Sequence, residues 1–407
     1  MGKGEKMTAN NEEIWFHNPP SAYFKYIDKR MASVLEEGNL SQKDHSLLDE
    51  YLGEISGDMC SERLYKYCYI ISSWRDYIGP FNENTARDLF KGIELIRHSN
   101  SKRGKPFSSH TLSDYVKILK RFYFWLIENG YSDIPEKKIQ KIKVPKLDSM
   151  TLTAEELLTE EEVNDMLEAC TNSMDRAIIS FAYEGGFRIS EIGKLRWRQV
   201  KFNDWNLAVN VNNKTNKPRY IPLTMSRPYL AQWKNDYPGE PEGDNFVFLT
   251  LIMKKPFHYM GLKTKIIRIA DRAKIEKKVT PHLFRHSRIT HLMQKDYSDS
   301  FIKKMMWGNL TTNMFAVYAH LTDNDSDNEL ARREGIIVHE KNESKCNLQA
   351  RQCSVCYTIN APTMQFCSKC GKPLTEDGLA EREELKDILE KLPQETLIKL
   401  VNQALSN

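Results

Sequence analysis

Between Thr280 and Leu321 the chain gathers side chains that bind anions and carry protons. The run TPHLFRH holds His282, Arg285 and His286, and YAHL at the far end supplies the phenol of Tyr318. Thr280 and Pro281 have the form of a helix N-cap followed by a first-turn proline, so a helix is expected from there. On it His282, Arg285, His286 and Ile289 fall at i, i+3, i+4 and i+7, which sets a cation and two imidazoles on one face. Singly, each of these residues is ordinary: a helical histidine or tyrosine usually packs its ring and satisfies its polar atom. An HxxRH face followed by a tyrosine demands a common explanation.

The explanation is a resemblance. HLFRH with the distant YAHL resembles the signature of tyrosine recombinases, the phage-integrase-type enzymes that cut and rejoin DNA through a phosphotyrosine. Two upstream segments extend the likeness: GGFRISEIGKLRW, Gly185 to Trp197, is similar to the family's first arginine motif, and NNKTNKPRYIPL, Asn212 to Leu223, to its lysine-bearing hairpin. The order arginine, lysine, HxxR, tyrosine is kept over about Thr159 to Leu321, and several motifs in order are more specific than any one.

The resemblance implies a division of labour. Tyr318 attacks phosphorus and holds the DNA 3′ end as an ester, which conserves bond energy for rejoining. Arg188 and Arg285 neutralise the non-bridging oxygens, because a planar guanidinium donates two parallel hydrogen bonds and stays charged. Lys214, with Lys217 as the second candidate, protonates the departing 5′ oxygen; His282 assists the proton or donates to phosphate; His286 braces the site; Glu191 orients Arg188. The family places Gly-His, or Gly-Trp in some archaeal members, ten residues before the tyrosine. Here the pair is Gly308-Asn309. Asn309 can donate to phosphate but carries neither charge nor proton, and Trp307 offers an indole N–H one residue early. A DNA-binding relative without cleavage, or an enzyme that relaxes supercoils, is the alternative.

The elements that must position these groups follow from local signals. Thr159 caps a helix with acids in its first turn, Met174–Tyr183 forms another ended by glycines, and Leu207–Val211 with Arg219–Leu223 alternate as hairpin strands. Phe246–Leu249 reads as a short strand and Gly261–Ala273 as a helix. Ser298 caps a helix that stops at Gly308, and Thr312 starts the helix carrying Tyr318. The expectation is a mainly α fold with a small β-sheet, α+β in class, over residues 159–335.

Upstream, residues 1–40 read as an arm or short lead-in around a Pro-Pro break, and 41–146 as four amphipathic helices. These carry apolar faces such as Leu47, Leu48, Tyr51, Leu52 and Ile55. The resemblance makes this a helical, SAM-like core-binding domain that clamps DNA, joined to the catalytic domain by a linker over 147–158. Lys102, Arg103, Lys105, Lys117, Lys120, Arg121, Lys141 and Lys143 give its later part a basic stripe suited to phosphates. Over the whole chain the balance is only +4 for 407 residues, with 28% charged and 40% hydrophobic residues, so the argument rests on where the charge sits. No apolar run reaches membrane-spanning length and no signal-peptide core begins the chain, which points to a cytoplasmic, nucleoid-associated protein without membrane contact.

Past Leu321 a polar, acidic stretch leads to RQCSVCYTINAPTMQFCSKCGKPL. Cys353, Cys356, Cys367 and Cys370 form two Cys-x-x-Cys pairs ten residues apart. Tetrahedral thiolate ligation needs two such knuckles, and the segment 346–376 has too little core to fold unaided, so a structural zinc ribbon is expected. Catalysis itself needs no cofactor. Residues 377–407 follow as two amphipathic helices split by Pro393, suited to packing within the chain or between protomers. The partners implied are double-stranded DNA and further copies of this chain, dimer to tetramer, on it.

Overall fold

The computed structural model describes residues 16–101, 104–146, 153–212, 218–312, 315, 318, 334, 348–393 and 396. Two compact units divide the chain, His17–Thr151 and the remainder.

In the first unit Pro20–Glu36 (α1), Gln42–Ile55 (α2), Ser61–Ser73 (α3), Ala86–His98 (α4), Ser109–Glu128 (α5) and Glu136–Gln140 (α6) are helical. Ser41 starts α2 by accepting the Asp44 N–H at 3.1 Å, while the Asp44 carboxylate, fully buried, accepts from Arg75 Nε at 3.0 Å and Phe81 N at 2.7 Å. One residue thus ties a helix start to a distant loop. Tyr51, Trp74, Phe81, Phe122 and Trp125 fill the core, and the Trp74 indole donates to the Tyr115 carbonyl at 3.2 Å. Helix α1 packs along α3 through Ile27, Met31 and Val34. Residues 17–40 therefore belong to the bundle and are not a free arm, while Phe16 packs in the core of the second unit; the i, i+4, i+7 stripe lay hidden among aromatics.

In the second unit Thr159 caps Glu160–Glu168 (α7), and Ser173–Glu184 (α8) and Ile189–Gly193 (α9) follow. Val200–Phe202 (β1), Leu207–Asn212 (β2) and Pro218–Leu223 (β3) form an antiparallel sheet in that order, with Val209 facing Val200 and Ile221. The expected hairpin is present, and β1 is a third strand that its three residues did not announce. Phe246–Leu249 is not a strand: among the described residues Phe246 and Leu249 make only single bridges, to Arg196 and Pro256. Ser226–Asn235 (α10) begins on the buried Glu184 carboxylate, which accepts from the N–H groups of Thr224, Met225 and Ser226 at 2.7–2.9 Å. Tyr259–Arg272 (α11), Pro281–Gln294 (α12) and Asp299–Trp307 (α13) complete the frame, α13 ending at Gly308 with φ +67°. The helix expected from Thr312 lies outside the described residues, Phe315 and Tyr318 apart.

Arg351–Gln352 (β4) and Ile359–Asn360 (β5) pair in a second small sheet. This module docks on α10: the hydroxyls of Tyr229 and Thr363 lie 2.8 Å apart, and Leu348 and Ala361 are buried in the same core as α8 and α12. Glu376–Lys391 (α14) then leaves Leu379, Leu385, Ile388 and Leu389 exposed. The second C-terminal helix, Thr396 apart, and Cys346 lie outside the described residues. Among the described residues no helix is long and apolar enough to cross a membrane.

Candidate active site

Helix α12 is the axis of the site. Thr280 starts it by accepting the Leu283 N–H at 3.2 Å, and the expected face turns Arg285 inward and leaves His282 exposed. Arg285 donates from Nη1 to the Gly186 carbonyl at 2.7 Å and from Nη2 to the Met306 carbonyl at 2.5 Å. It therefore joins the turn before Arg188 to the end of α13. That turn needs a glycine: Gly186 sits at φ +52°, and a Cβ there would meet Met306 Sδ at 2.8 Å.

Arg188 stands at the start of α9. Glu191, three residues on, accepts its N–H at 2.8 Å with Oε2 and its Nη1 at 2.9 Å with Oε1. The orienting role expected of Glu191 thus has a geometry: one carboxylate fixes both the backbone and the head of the arginine. Over a third of the Arg188 side chain remains exposed, as a group that meets a ligand should be.

Tyr318 is only 3% exposed, and its hydroxyl lies 2.8 Å from His286 Nδ1. The Trp307 ring stands 6.1 Å from the phenol ring and 5.3 Å from the Arg285 guanidinium. Burial raises the Tyr318 hydroxyl above the ordinary tyrosine range, and the Arg285 cation pulls the other way. Burial, then His282 and Arg285, push His286 down to about 4. The imidazole beside the phenol is therefore held toward its neutral form at pH 7, with Nδ1 within hydrogen-bond distance of the hydroxyl. His282 is likewise held below the ordinary histidine range, by desolvation and then by Arg285 and Arg188, which places it within the field of both guanidiniums.

A third guanidinium, missed in the sequence, completes the cluster. Arg219 on β3 is fully buried; it donates from Nη1 to the Met305 and Met306 carbonyls at 3.0 and 2.7 Å, and from Nη2 to Glu191 Oε2 at 2.5 Å. Its signal was parity, since Arg219 alternates with Ile221 and Leu223 and so points inward with them. Burial pulls Arg219 down to about 10 and Arg285 to about 9, and each is further lowered by a neighbouring guanidinium.

Asn309 is half-buried, and its Oδ1 accepts from both the Thr311 N–H and hydroxyl at 2.8 Å. Its amide nitrogen is then the group that can serve a phosphate. Lys214 and Lys217 lie outside the described residues, in the connection flanked by β2 and β3.

In the helical unit Lys105, Lys117, Arg121, Lys141 and Lys143 are exposed, while Lys102 and Arg103 lie outside the described residues. Arg121 stands over the Tyr67 ring at 5.7 Å. Lys120 differs from its expected role: its ammonium donates to the Gln140 and Ile142 carbonyls at 3.2 and 2.8 Å, closing the end of α6.

The ribbon's four sulfurs, of Cys353, Cys356, Cys367 and Cys370, lie within 4.8 Å of one another. Its two knuckles repeat one geometry. Tyr357 at φ 58° donates its N–H to the Cys353 carbonyl at 2.9 Å, and Gly371 at φ 69° does the same to Cys367.

Residues 156–325 match the model of the phage integrase family. The chain is 27% identical over 273 residues to transposase A from transposon Tn554 of Staphylococcus aureus, covering 64% of this chain and 66% of the transposase. It is 28% identical to a tyrosine recombinase of Thermosipho africanus and 27% to the tyrosine recombinase XerA of Pyrococcus furiosus. These cover 61% and 63% of this chain, and 85% and 82% of theirs. Among solved structures, a lambda integrase dimer bound to a COC' core site aligns at a TM-score of 0.53 and 15% identity, covering 74% of this chain and 99% of that one. That likeness speaks for the fold, a mostly helical one with small sheets. Over residues 156–325 this chain is thus similar to the phage integrase family and, across a longer stretch, to tyrosine recombinases.

Proposed function

We propose that the protein recombines DNA at a specific site, cutting and rejoining it through a 3′-phosphotyrosine on Tyr318. The observation that carries this is the buried Tyr318 hydroxyl 2.8 Å from a neutral imidazole on the helix that also presents Arg285. The phenol oxygen attacks phosphorus, the bond from phosphorus to the 5′ oxygen breaks, and the phenol proton passes toward His286 Nδ1, the acceptor within reach. Arg188 and Arg285 hold the non-bridging oxygens, with His282 and the Asn309 amide as further donors. Lys214 gives the leaving 5′ oxygen its proton. A 5′ hydroxyl attacking the ester reverses each step, so no energy source is required. Tyr318 lies in the field of its own chain's Arg285, which supports cleavage by the subunit that binds the phosphate.

The likeness to a transposase and to recombinases, and to a lambda integrase dimer on its core site, supports duplex DNA as substrate and two to four copies as the working assembly. Lys105, Lys117, Arg121, Lys141 and Lys143 supply phosphate contacts from the helical unit. The four thiolates suit zinc: at Zn–S bonds of about 2.3 Å a tetrahedron has edges of roughly 3.8 Å. The sulfur pairs Cys353–Cys370 and Cys356–Cys367 stand at 3.5 Å. With four protein ligands the ion has no open position and serves the fold.

The test is a nicked duplex that traps the covalent intermediate. Wild-type protein should yield a denaturant-resistant adduct mapped to Tyr318, and Tyr318→Phe none. A full adduct in Tyr318→Phe, or DNA binding without any adduct in the wild type, refutes the reading.

A further inference from the structure

We infer that Arg219 is a positioning residue for cleavage, holding Glu191 and the end of α13 so that Arg188 and Arg285 stand correctly for one phosphate. The inference rests on the reading of that arginine pair as the phosphate clamp. A fully buried arginine is costly, the more so because its Nε has no partner among the described residues. Two features of its contacts account for its presence.

The first is the shared carboxylate. Glu191 Oε2 takes both the Arg219 Nη2 and the Arg188 N–H, while Oε1 takes the Arg188 Nη1. Without Arg219 the carboxylate is free to turn and take the Arg188 head in a two-pronged pair. That would draw the guanidinium away from phosphate. Arg219 thus keeps Glu191 from competing with DNA for Arg188.

The second is the shared carbonyl. Arg219 Nη1 and Arg285 Nη2 both donate to the Met306 carbonyl. That carbonyl sets where the Arg285 head lies, and Arg219 sets where the carbonyl lies. The approach is close: Gly308 at φ +67° ends α13, and a Cβ there would meet the Pro218 carbonyl at 3.3 Å and Arg219 Cβ at 3.5 Å. One side chain on β3 therefore reaches both arginines, each through an atom that the other elements also use.

The experiment measures single-turnover adduct formation by the full-length protein on two nicked duplexes, one with an ordinary phosphodiester at the cleaved position and one with a methylphosphonate. The second linkage has no charged non-bridging oxygen, so a weakened clamp costs it less. Arg219→Met should slow adduct formation about 10- to 100-fold on the phosphodiester, and the deficit against wild type should shrink by about tenfold or more on the methylphosphonate, as it should for Arg188→Ala. Arg219→Lys keeps the charge but cannot span Glu191 and both carbonyls. It should show the same pattern with a smaller deficit, and it carries the test if the methionine variant does not fold. Equal impairment of the Arg219 variants on both linkages, with Arg188→Ala relieved, overturns the inference and leaves the clamp standing. If Arg188→Ala is not relieved either, the clamp reading fails first and the inference with it.

Discussion

Replacing His286 separates the two things its imidazole can do for Tyr318. The phenol is 3% exposed and its hydrogen bond to Nδ1 is 2.8 Å long. His286→Phe leaves a buried hydroxyl without that acceptor, a penalty of about 1–3 kcal/mol. If the penalty falls on the attacking state, adduct formation slows by roughly 5- to 150-fold. His286→Gln can restore an acceptor without restoring a base, so it should recover most of the rate if the contact only orients the phenol and little if it takes the proton. The pH profile adds a sign. The imidazole is pushed down to about 4, so it accepts from the phenol above that value and becomes a donor below it. Wild-type adduct formation should hold level from about pH 8 to about pH 5 and fall as pH drops through about 4. Linkage works in the same sense: an unfolded histidine titrates near 6.5, so the unfolded chain binds the proton first and stability is lost between about pH 6.5 and 4. The assay is the nicked-duplex adduct gel, with thermal melts of each variant alongside. A folded His286→Phe that forms adduct at the wild-type rate removes His286 from the chemistry.

Two further outcomes test the flanking parts. Lys117→Gln and Lys141→Gln should each lower the slope of log affinity against log salt by about one, with the losses nearly additive, whereas Lys120→Gln should leave the slope alone because its ammonium is spent on the carbonyls of Gln140 and Ile142. Filter binding at several salt concentrations reads this, and an unchanged slope in Lys117→Gln and Lys141→Gln would remove them from the DNA face. Metal analysis should find one zinc per chain, lost in Cys353→Ser. Because the ribbon shares a core with α10, that loss should lower the melting temperature of the catalytic unit rather than free a tail; an unchanged melt would show the docking to be loose.

What the sequence disclosed and what it withheld follow from the range of the interactions. Caps and periodic faces are local, so α2, α7, α12 and α13 could be read from Ser41, Thr159, Thr280 and Ser298, and the hairpin from alternation. Helix α1 was obscured because aromatics near Pro19-Pro20 masked a three-residue stripe. The place of Lys120 was not legible, since a surface lysine and one that closes a helix end twenty residues later have the same local pattern. Arg219 was legible only as a strand parity, and its partners come from α9 and α13, 28 and 86 residues away. The contact of His286 with the Tyr318 phenol was not legible either, because nothing local tells which side chain a half-buried ring will touch.

The charge of the assembled site has its own logic. Arg188 and Arg219 share one carboxylate, Glu191, Arg285 donates to the Gly186 and Met306 carbonyls, and His282 and His286 are held toward the neutral form. Among the described groups two positive charges are left over, and burial first, then the neighbouring guanidiniums, lowers the affinity of Arg285 and Arg219 for their protons. Proteins rarely gather such an excess around two buried arginines without an anion in view. A phosphodiester brings a single negative charge, but phosphorus under attack by a phenol whose proton is leaving approaches two. The excess therefore matches the transition state better than the bound substrate, which is where electrostatic preorganisation accelerates a step. It also gives the neutral Asn309 a place in the scheme. An amide can donate a hydrogen bond to phosphate without adding to the repulsion among the guanidiniums.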